Sequence, residues 1–186
     1  MRILHVLPTL SPNYGGPPKA CMDMARIMAA RGHDVEIYTT NYNGLGEFTS
    51  KGGGKARKID GVTVTEYKIG IFRYRFFSSE LFRALYRNVA RFDVVHVHEP
   101  YVCSSIAGGF FARLKKVPYV FQPHGSLDPY VKRRRRLRKL LLEFLFVRPL
   151  LKHAAVVHYT TTEEMRVASP YTFGRPGTVI PLGIYP

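Results

Sequence analysis

The sequence predicts an α/β fold, a parallel β-sheet with helices on both faces. Three observations carry that expectation. Short apolar, β-branched runs alternate with segments of helical period, the order of a βαβ chain. The runs are apolar almost without interruption, as strands buried on both sides are. The loops that leave several of them carry glycine or polar side chains, and in such sheets ligands bind at the strands' carboxyl ends, near the point where the strand order reverses. With 186 residues the chain fits one domain, large enough to bury about 70% of its unfolded surface.

The first strand is "RILHVL" at 2–7. It leads into "PNYGGPP" at 12–18, where Gly15 and Gly16 stand at the seam between strand and helix. Glycine and proline there make a plain turn, or they let backbone approach a phosphate beside the free N–H groups of a helix start. Cys21, Met24, Ala25 and Met28 then lie on one helical stripe, closed by Gly32 at a C-cap position. Further strands are expected at 34–40, 62–67, 93–97, 118–122 and 155–159. The glycine-rich, polar stretch 41–61 reads as a mobile excursion between the second and third of these. On the carboxyl edge, "HEP" follows the fourth strand, "PHGSLDP" the fifth and "TTTEE" the sixth. Thr160 and Glu163 have capping-box spacing, so their expected role is structural.

The formal charge is +15, from 28 basic and 13 acidic residues, which suits polyanions, anionic lipid surfaces or phosphorylated substrates. Seven of the cations form one block, Lys132, Arg133, Arg134, Arg135, Arg136, Arg138 and Lys139. Asp128 as N-cap and Pro129 as first residue place the block in the opening turns of a helix running towards 147. Cations crowd the positive end of that helix, four residues apart, against its local stability. The block is either a solvated face or an anion site; with Leu137, Leu140, Leu141, Phe144 and Leu145 beside it, it suits an anionic membrane. It lacks interleaved aromatics, so no nucleic acid is expected. Cys21 and Cys103 read as reduced, buried thiols, and neither a signal peptide nor a bilayer-spanning stretch is legible, so a cytoplasmic protein, soluble or peripheral at the membrane, is expected. His96 and His98 share a strand face next to Glu99, but no third spaced ligand follows along the chain, and no metal is expected.

Taken in order, "MRILHVLPTLSPNYGGPPKACMDMARIMAARGHDVEIYT", "DVVHVHEP", "PHGSLDPY" and "VIPLGIYP" resemble the amino-terminal half of family four glycosyltransferases. Those enzymes have the GT-B fold of two facing Rossmann-like domains, and the resemblance covers nearly the whole chain. It implies transfer of a sugar from a nucleotide-sugar donor with retention, without a bound metal or other cofactor. It gives Gly15, Gly16 and Gly125 to the donor diphosphate, and His124 to the transferred sugar as the catalytic contact. Asn13, Tyr14, His98, Glu99, Ser126, Lys132 and Arg133 would face a sugar or lipid-linked acceptor. Arg134, Arg135, Arg136, Arg138 and Lys139 would face an anionic membrane.

The family's main nucleotide-holding groups belong to a carboxy-terminal donor domain whose motifs are not among these residues. Residues 1–180 are then the acceptor-side domain and 181–186 the start of a linker, and the chain alone is expected to be inactive. A non-catalytic module for a phosphorylated ligand or membrane is the alternative.

Overall fold

The computed structural model describes residues 1–43, 53–70, 76–128 and 141–183. One sheet of eight strands runs in the order β3-β4-β2-β1-β5-β6-β7-β8. The strands are β1 (Arg2–Val6), β2 (Asp34–Thr40), β3 (Ala56–Ile59), β4 (Val62–Tyr67), β5 (Val94–His98), β6 (Tyr119–Gln122), β7 (Val156–Tyr159) and β8 (Gly177–Val179). Every neighbouring pair is parallel except β3 with β4. The chain moves from β1 to β2 on one side and returns to place β5 on the other, so the order reverses between β1 and β5.

Six of these strands match the expected runs within one residue at either end. β3 corrects the reading of 41–61 as a mobile excursion. Its "ARKI" is largely exposed and carries no buried pattern, yet it pairs antiparallel with β4. Asp60 and Gly61 close the hairpin with φ of 49° and 84°, the left-handed backbone that an Asp-Gly turn supplies. Residues 44–52 of the same stretch lie outside the described ones. β8, three residues at the other edge, was also not expected.

Helix α1 (Gly16–Ala30) covers one face, burying Cys21 and Ala25 against Ile3, Leu7, Val35, Ile37, Val62 and Val64. The opposite face carries α2 (Ser79–Asn88), α3 (Cys103–Leu114), α4 (Arg148–Lys152) and α5 (Thr162–Ala168). Their core gathers Leu4, Val6, Val95, Val97 and Phe121 from the strands with Leu81, Leu85 and Leu150 from the helices. Each such side chain, fully buried, contributes about 1.5–3 kcal/mol. Gly108 lets α3 lie directly on β1, since a Cβ there would meet Val6 at 3.2 Å.

The cap of α5 falls one residue later than the expected Thr160–Glu163 pair. Thr161 is the N-cap, its hydroxyl accepting from the Glu164 N–H at 3.0 Å, while the Glu164 carboxylate accepts from the Thr160 N–H at 2.7 Å. A residue two after the strand end is extended enough to cap; Thr160 is still leaving β7.

The basic block 132–139, with Leu137 and Leu140, lies outside the described residues. Its continuation is a single π turn (Glu143–Val147) leading into α4, where Pro149 lacks the N–H that an unbroken ladder needs. Leu141, Phe144 and Leu145 are 64%, 63% and 50% exposed, so the apolar side predicted for this helix faces outward. Neither Cys21 nor Cys103 forms a disulfide among the described residues; Cys21 is buried as expected, whereas Cys103 is half-buried. Among the described residues no helix is long and apolar enough to cross a membrane.

Candidate active site

The loops after β1 and β5 flank the point where the strand order reverses, and one hydrogen bond joins them across it. The Tyr14 hydroxyl donates to Glu99 Oε2 at 2.8 Å. Burial pushes the Glu99 carboxyl above its ordinary range, and burial together with Glu99 pushes the Tyr14 hydroxyl up as well. The Tyr14 ring is further held edge-on against Phe76 at 5.5 Å. Asn13 is exposed beside it, its side-chain amide donating to the Asn43 carbonyl at 3.2 Å.

Gly15 and Gly16 are both exposed, and a Cβ on either would meet nothing within 4 Å. Their backbones differ. Gly15 has φ 113° and ψ −149°, a region that only glycine populates readily, whereas Gly16 is the first residue of α1. The helix start is poorer in donors than its position suggests. Pro17 and Pro18 have no N–H, and the Gly15 N–H donates to the Pro12 carbonyl at 3.3 Å. Gly16 is the donor that this turn retains for a ligand.

The loops after β5 and β6 hold two residues in left-handed backbone, Glu99 with φ 63° and His124 with φ 51°. Side chains other than glycine are rarely held there, and such residues concentrate at functional sites. His124 is partly exposed, at the mouth of a row of imidazoles. Its Nε2 lies 2.9 Å from His98 Nδ1, and His98 Nε2 lies 3.0 Å from His5 Nδ1. His98 is wholly buried with both ring nitrogens turned to other histidines, so it is placed behind His124 rather than beside an acceptor.

Strand register explains the row. His5 on β1 pairs with His96 on β5, and His98 pairs with Gln122 on β6, so all four side chains share the face that α1 covers. His158 of β7 joins them, its ring 5.6 Å from that of His96. Burial lowers the His5 and His124 imidazoles to about 4 and holds His96 and His98 well below the usual histidine range. The fold thus favours the neutral form of His5, His96, His98 and His124 at physiological pH. Folding also supplies the third imidazole that the strand "HVH" lacks along the chain: His5, His96 and His98 bring ligand atoms within 4.8 Å of one another. A metal there would have to displace His98 from one of its two histidine contacts.

Gly125, with φ 73°, is exposed, and its N–H donates to Glu164 Oε1 at 2.7 Å. That carboxylate occupies the N–H of a residue expected to contact the sugar donor. The Ser126 hydroxyl donates to the Pro123 carbonyl, closing its own turn. Lys132, Arg133, Arg134, Arg135, Arg136, Arg138 and Lys139 lie outside the described residues. His5, His158, Gln122 and Glu164 belong to this neighbourhood and were not singled out from the sequence. The matching "HV" of β1 and β5 is the signal that could have exposed His5.

The model of the glycosyl transferase 4-like domain matches residues 15–183 of the chain. The chain belongs to that family. Its fold is the Rossmann-like domain of the GT-B architecture. A sucrose-phosphate synthase from Thermosynechococcus elongatus is similar in structure, with a TM-score of 0.58 and 14% identity, over 98% of this chain and 90% of that one. MnaA of S. aureus, solved with UDP, has a TM-score of 0.57 and 15% identity over 96% of this chain and 43% of its own. The UDP-GlcNAc 2-epimerase from Neisseria meningitidis, bound to UDP-GlcNAc, has a TM-score of 0.52 and 15% identity over 91% and 43%. The chain thus spans under half the length of MnaA and of the Neisseria epimerase. No curated protein matches the chain.

Proposed function

We propose that this domain is the acceptor side of an enzyme that transfers a sugar, with retention, from a nucleotide-sugar donor to a lipid-linked or polysaccharide acceptor. The observation that carries the proposal is the Tyr14–Glu99 hydrogen bond across the switch point of a glycosyl transferase 4-like domain, with His124 on the next loop of the same edge, 2.9 Å from His98. His124 is a neutral ring in strained backbone on the carboxyl edge, suited to hydrogen-bond a sugar hydroxyl as the transition state forms. Structural relatives solved with UDP and UDP-GlcNAc support a nucleotide-sugar donor.

Most donor affinity would come from a second domain. Micromolar binding requires roughly 8 kcal/mol, whereas a helix start contributes about 0.3–1 kcal/mol to an exposed anion, and this one retains few donors. Isothermal titration of the 186-residue chain with nucleoside diphosphate sugars is expected to give millimolar binding and no transfer. A two-domain version gains both, and His124→Ala in it lowers kcat far more than donor affinity. Micromolar binding or transfer by this chain alone refutes the division of labour.

The lipid-linked acceptor is favoured by the exposed Leu141, Phe144, Leu145 and Phe146, which follow the basic block directly in sequence. Cations beside exposed apolar side chains bind anionic bilayers, each cation contributing up to about 1 kcal/mol. Co-sedimentation with anionic liposomes, lost when Arg133 to Arg136 become Gln, tests this. Equal binding of both forms to neutral and anionic vesicles removes the membrane from the proposal.

A further inference from the structure

We infer that His5 and His98 act as positioning residues that fix the tautomer of His124, so that this ring meets its ligand as an Nδ1–H donor. The role of the ring at the sugar rests on the function proposed above; the tautomer itself rests on the geometry of the row.

A neutral imidazole has one protonated nitrogen and one bare one. In the row, His124 Nε2 faces His98 Nδ1 at 2.9 Å and His98 Nε2 faces His5 Nδ1 at 3.0 Å. Each contact needs one proton, so the proton order of the three rings is set as a unit. If His98 donates from Nδ1 to His124 Nε2, then His98 Nε2 is bare and accepts from His5 Nδ1–H. His124 is left with its proton on Nδ1, and His5 leaves a bare Nε2 in the core. In the reverse order His124 donates inward from Nε2, His98 donates onward to His5, and the Nε2 of His5 must carry a proton. That nitrogen is buried and has no hydrogen-bond partner among the described residues. A buried N–H without a partner is the rarer and more unfavourable of the two ends. The outward order avoids it.

The surroundings keep the rings neutral, which the relay requires. His96 stacks on His98 at 4.4 Å and lies 5.0 Å from His5, so a proton on any of these rings would be repelled by protonation of another. Burial holds His5 and His124 down at about 4 and His98 well below its ordinary value. Gln122 pairs with His98 in register but leaves both amide atoms unpartnered, so it does not enter the chain of contacts.

The test is a two-bond proton–nitrogen NMR spectrum of the ¹⁵N-labelled chain at neutral pH, with His124 assigned by His124→Gln. The expected spectrum shows His124 protonated on Nδ1 and bare on Nε2, and His5 bare on Nε2. Protonated His124 Nε2, or fast averaging between tautomers, overturns the inference without needing any variant. His98→Leu should return His124 to the Nε2–H form that free imidazoles favour, while His98→Gln, whose amide can still donate, should retain Nδ1–H. An unchanged His124 tautomer in His98→Leu overturns the relay. If His98→Leu does not fold, His5→Leu, which frees the far end of the row, should give a mixture of tautomers, and an unmixed spectrum counts against the relay. Because these spectra contain no sugar, they stand or fall apart from the kinetics of His124→Ala.

Discussion

Acidification should unfold this protein early, and the histidine row sets the size of the effect. The perturbation is a drop from about pH 7.5 to about pH 5. Burial lowers His5 and His124 from 6.5 to about 4, and His96 and His98 well below 6.5, so the fold favours the neutral ring at all four. The unfolded chain binds the additional protons. Stability from each ring is therefore complete above 6.5 and is lost as pH falls from there toward the folded value of about 4. At about pH 5 a ring shifted this far loses about 2 kcal/mol. His5 and His124 together reach about 4 kcal/mol, and His96 and His98 add to it in the same direction, against a total of about 5–15 kcal/mol for a domain of this size. The raised carboxyls of Glu99 and Glu36 work the other way, favouring the folded state at low pH, but they are two groups against four. Urea unfolding followed by circular dichroism at the two pH values measures the loss. We expect at least about 4 kcal/mol, and His96→Leu, which removes one of the rings held neutral, should make the dependence shallower. A change below about 1 kcal/mol would mean that water reaches the rings and that the row is not dry.

Further outcomes follow from the loops. Gly15→Ala should cost about 1–3 kcal/mol in urea unfolding because its φ of 113° is strained for any side chain. Gly16→Val, facing open space from an ordinary helical position, should unfold close to the wild type yet impair sugar transfer in a two-domain enzyme, and normal transfer would show that nothing approaches there. Glu164→Gln should cost about 1–2 kcal/mol, since one carboxylate accepts from the Gly125 N–H and from both the N–H and the hydroxyl of Thr160. Its unfolding midpoint checks this, and an unchanged midpoint would mean that water replaces the carboxylate without loss.

The strands were legible because burial on both faces leaves a signature in consecutive residues: after its exposed Arg2, "RILHV" is apolar but for its histidine, as "VVHVH" is but for its two. β3 lacks that signature. An edge strand whose residues stay exposed has no apolar period to read, and only its Asp60–Gly61 turn betrays it. The cap of α5 slipped by one residue because both Thr160 and Thr161 precede a glutamate at the right spacing, and where β7 ends decides between them. The site was legible at its loops and illegible in its depth. Glu99 and His124 stand at strand ends that the α/β pattern predicts, but the contact from His98 to His5 spans 93 positions and depends on β1 lying beside β5. No local pattern encodes a parallel neighbour, so a histidine that looked like a surface contact proved to be an internal support.

The same separation of near from far explains the glycine seam. "PNYGGPP" has the composition of a phosphate loop, yet composition does not count donors. Ser11 caps the short helix Pro12–Tyr14 by accepting from the Asn13 N–H at 3.2 Å, and the Gly15 N–H is spent on Pro12. The two prolines then remove two N–H groups from the first turn of α1. What remains is a wide, side-chain-free surface with one backbone donor at Gly16, set beside the Tyr14–Glu99 hydrogen bond. A surface of that kind lets a diphosphate come close but holds it weakly. Across the carboxyl edge, the Gly125 N–H is already engaged by the Glu164 side chain and is not open to an approaching phosphate. If a donor binds at this edge as proposed, both loops would shape the space around it and leave its charge to be neutralised by cations from elsewhere, so that binding by this domain alone should be weak while His124 would still place the sugar.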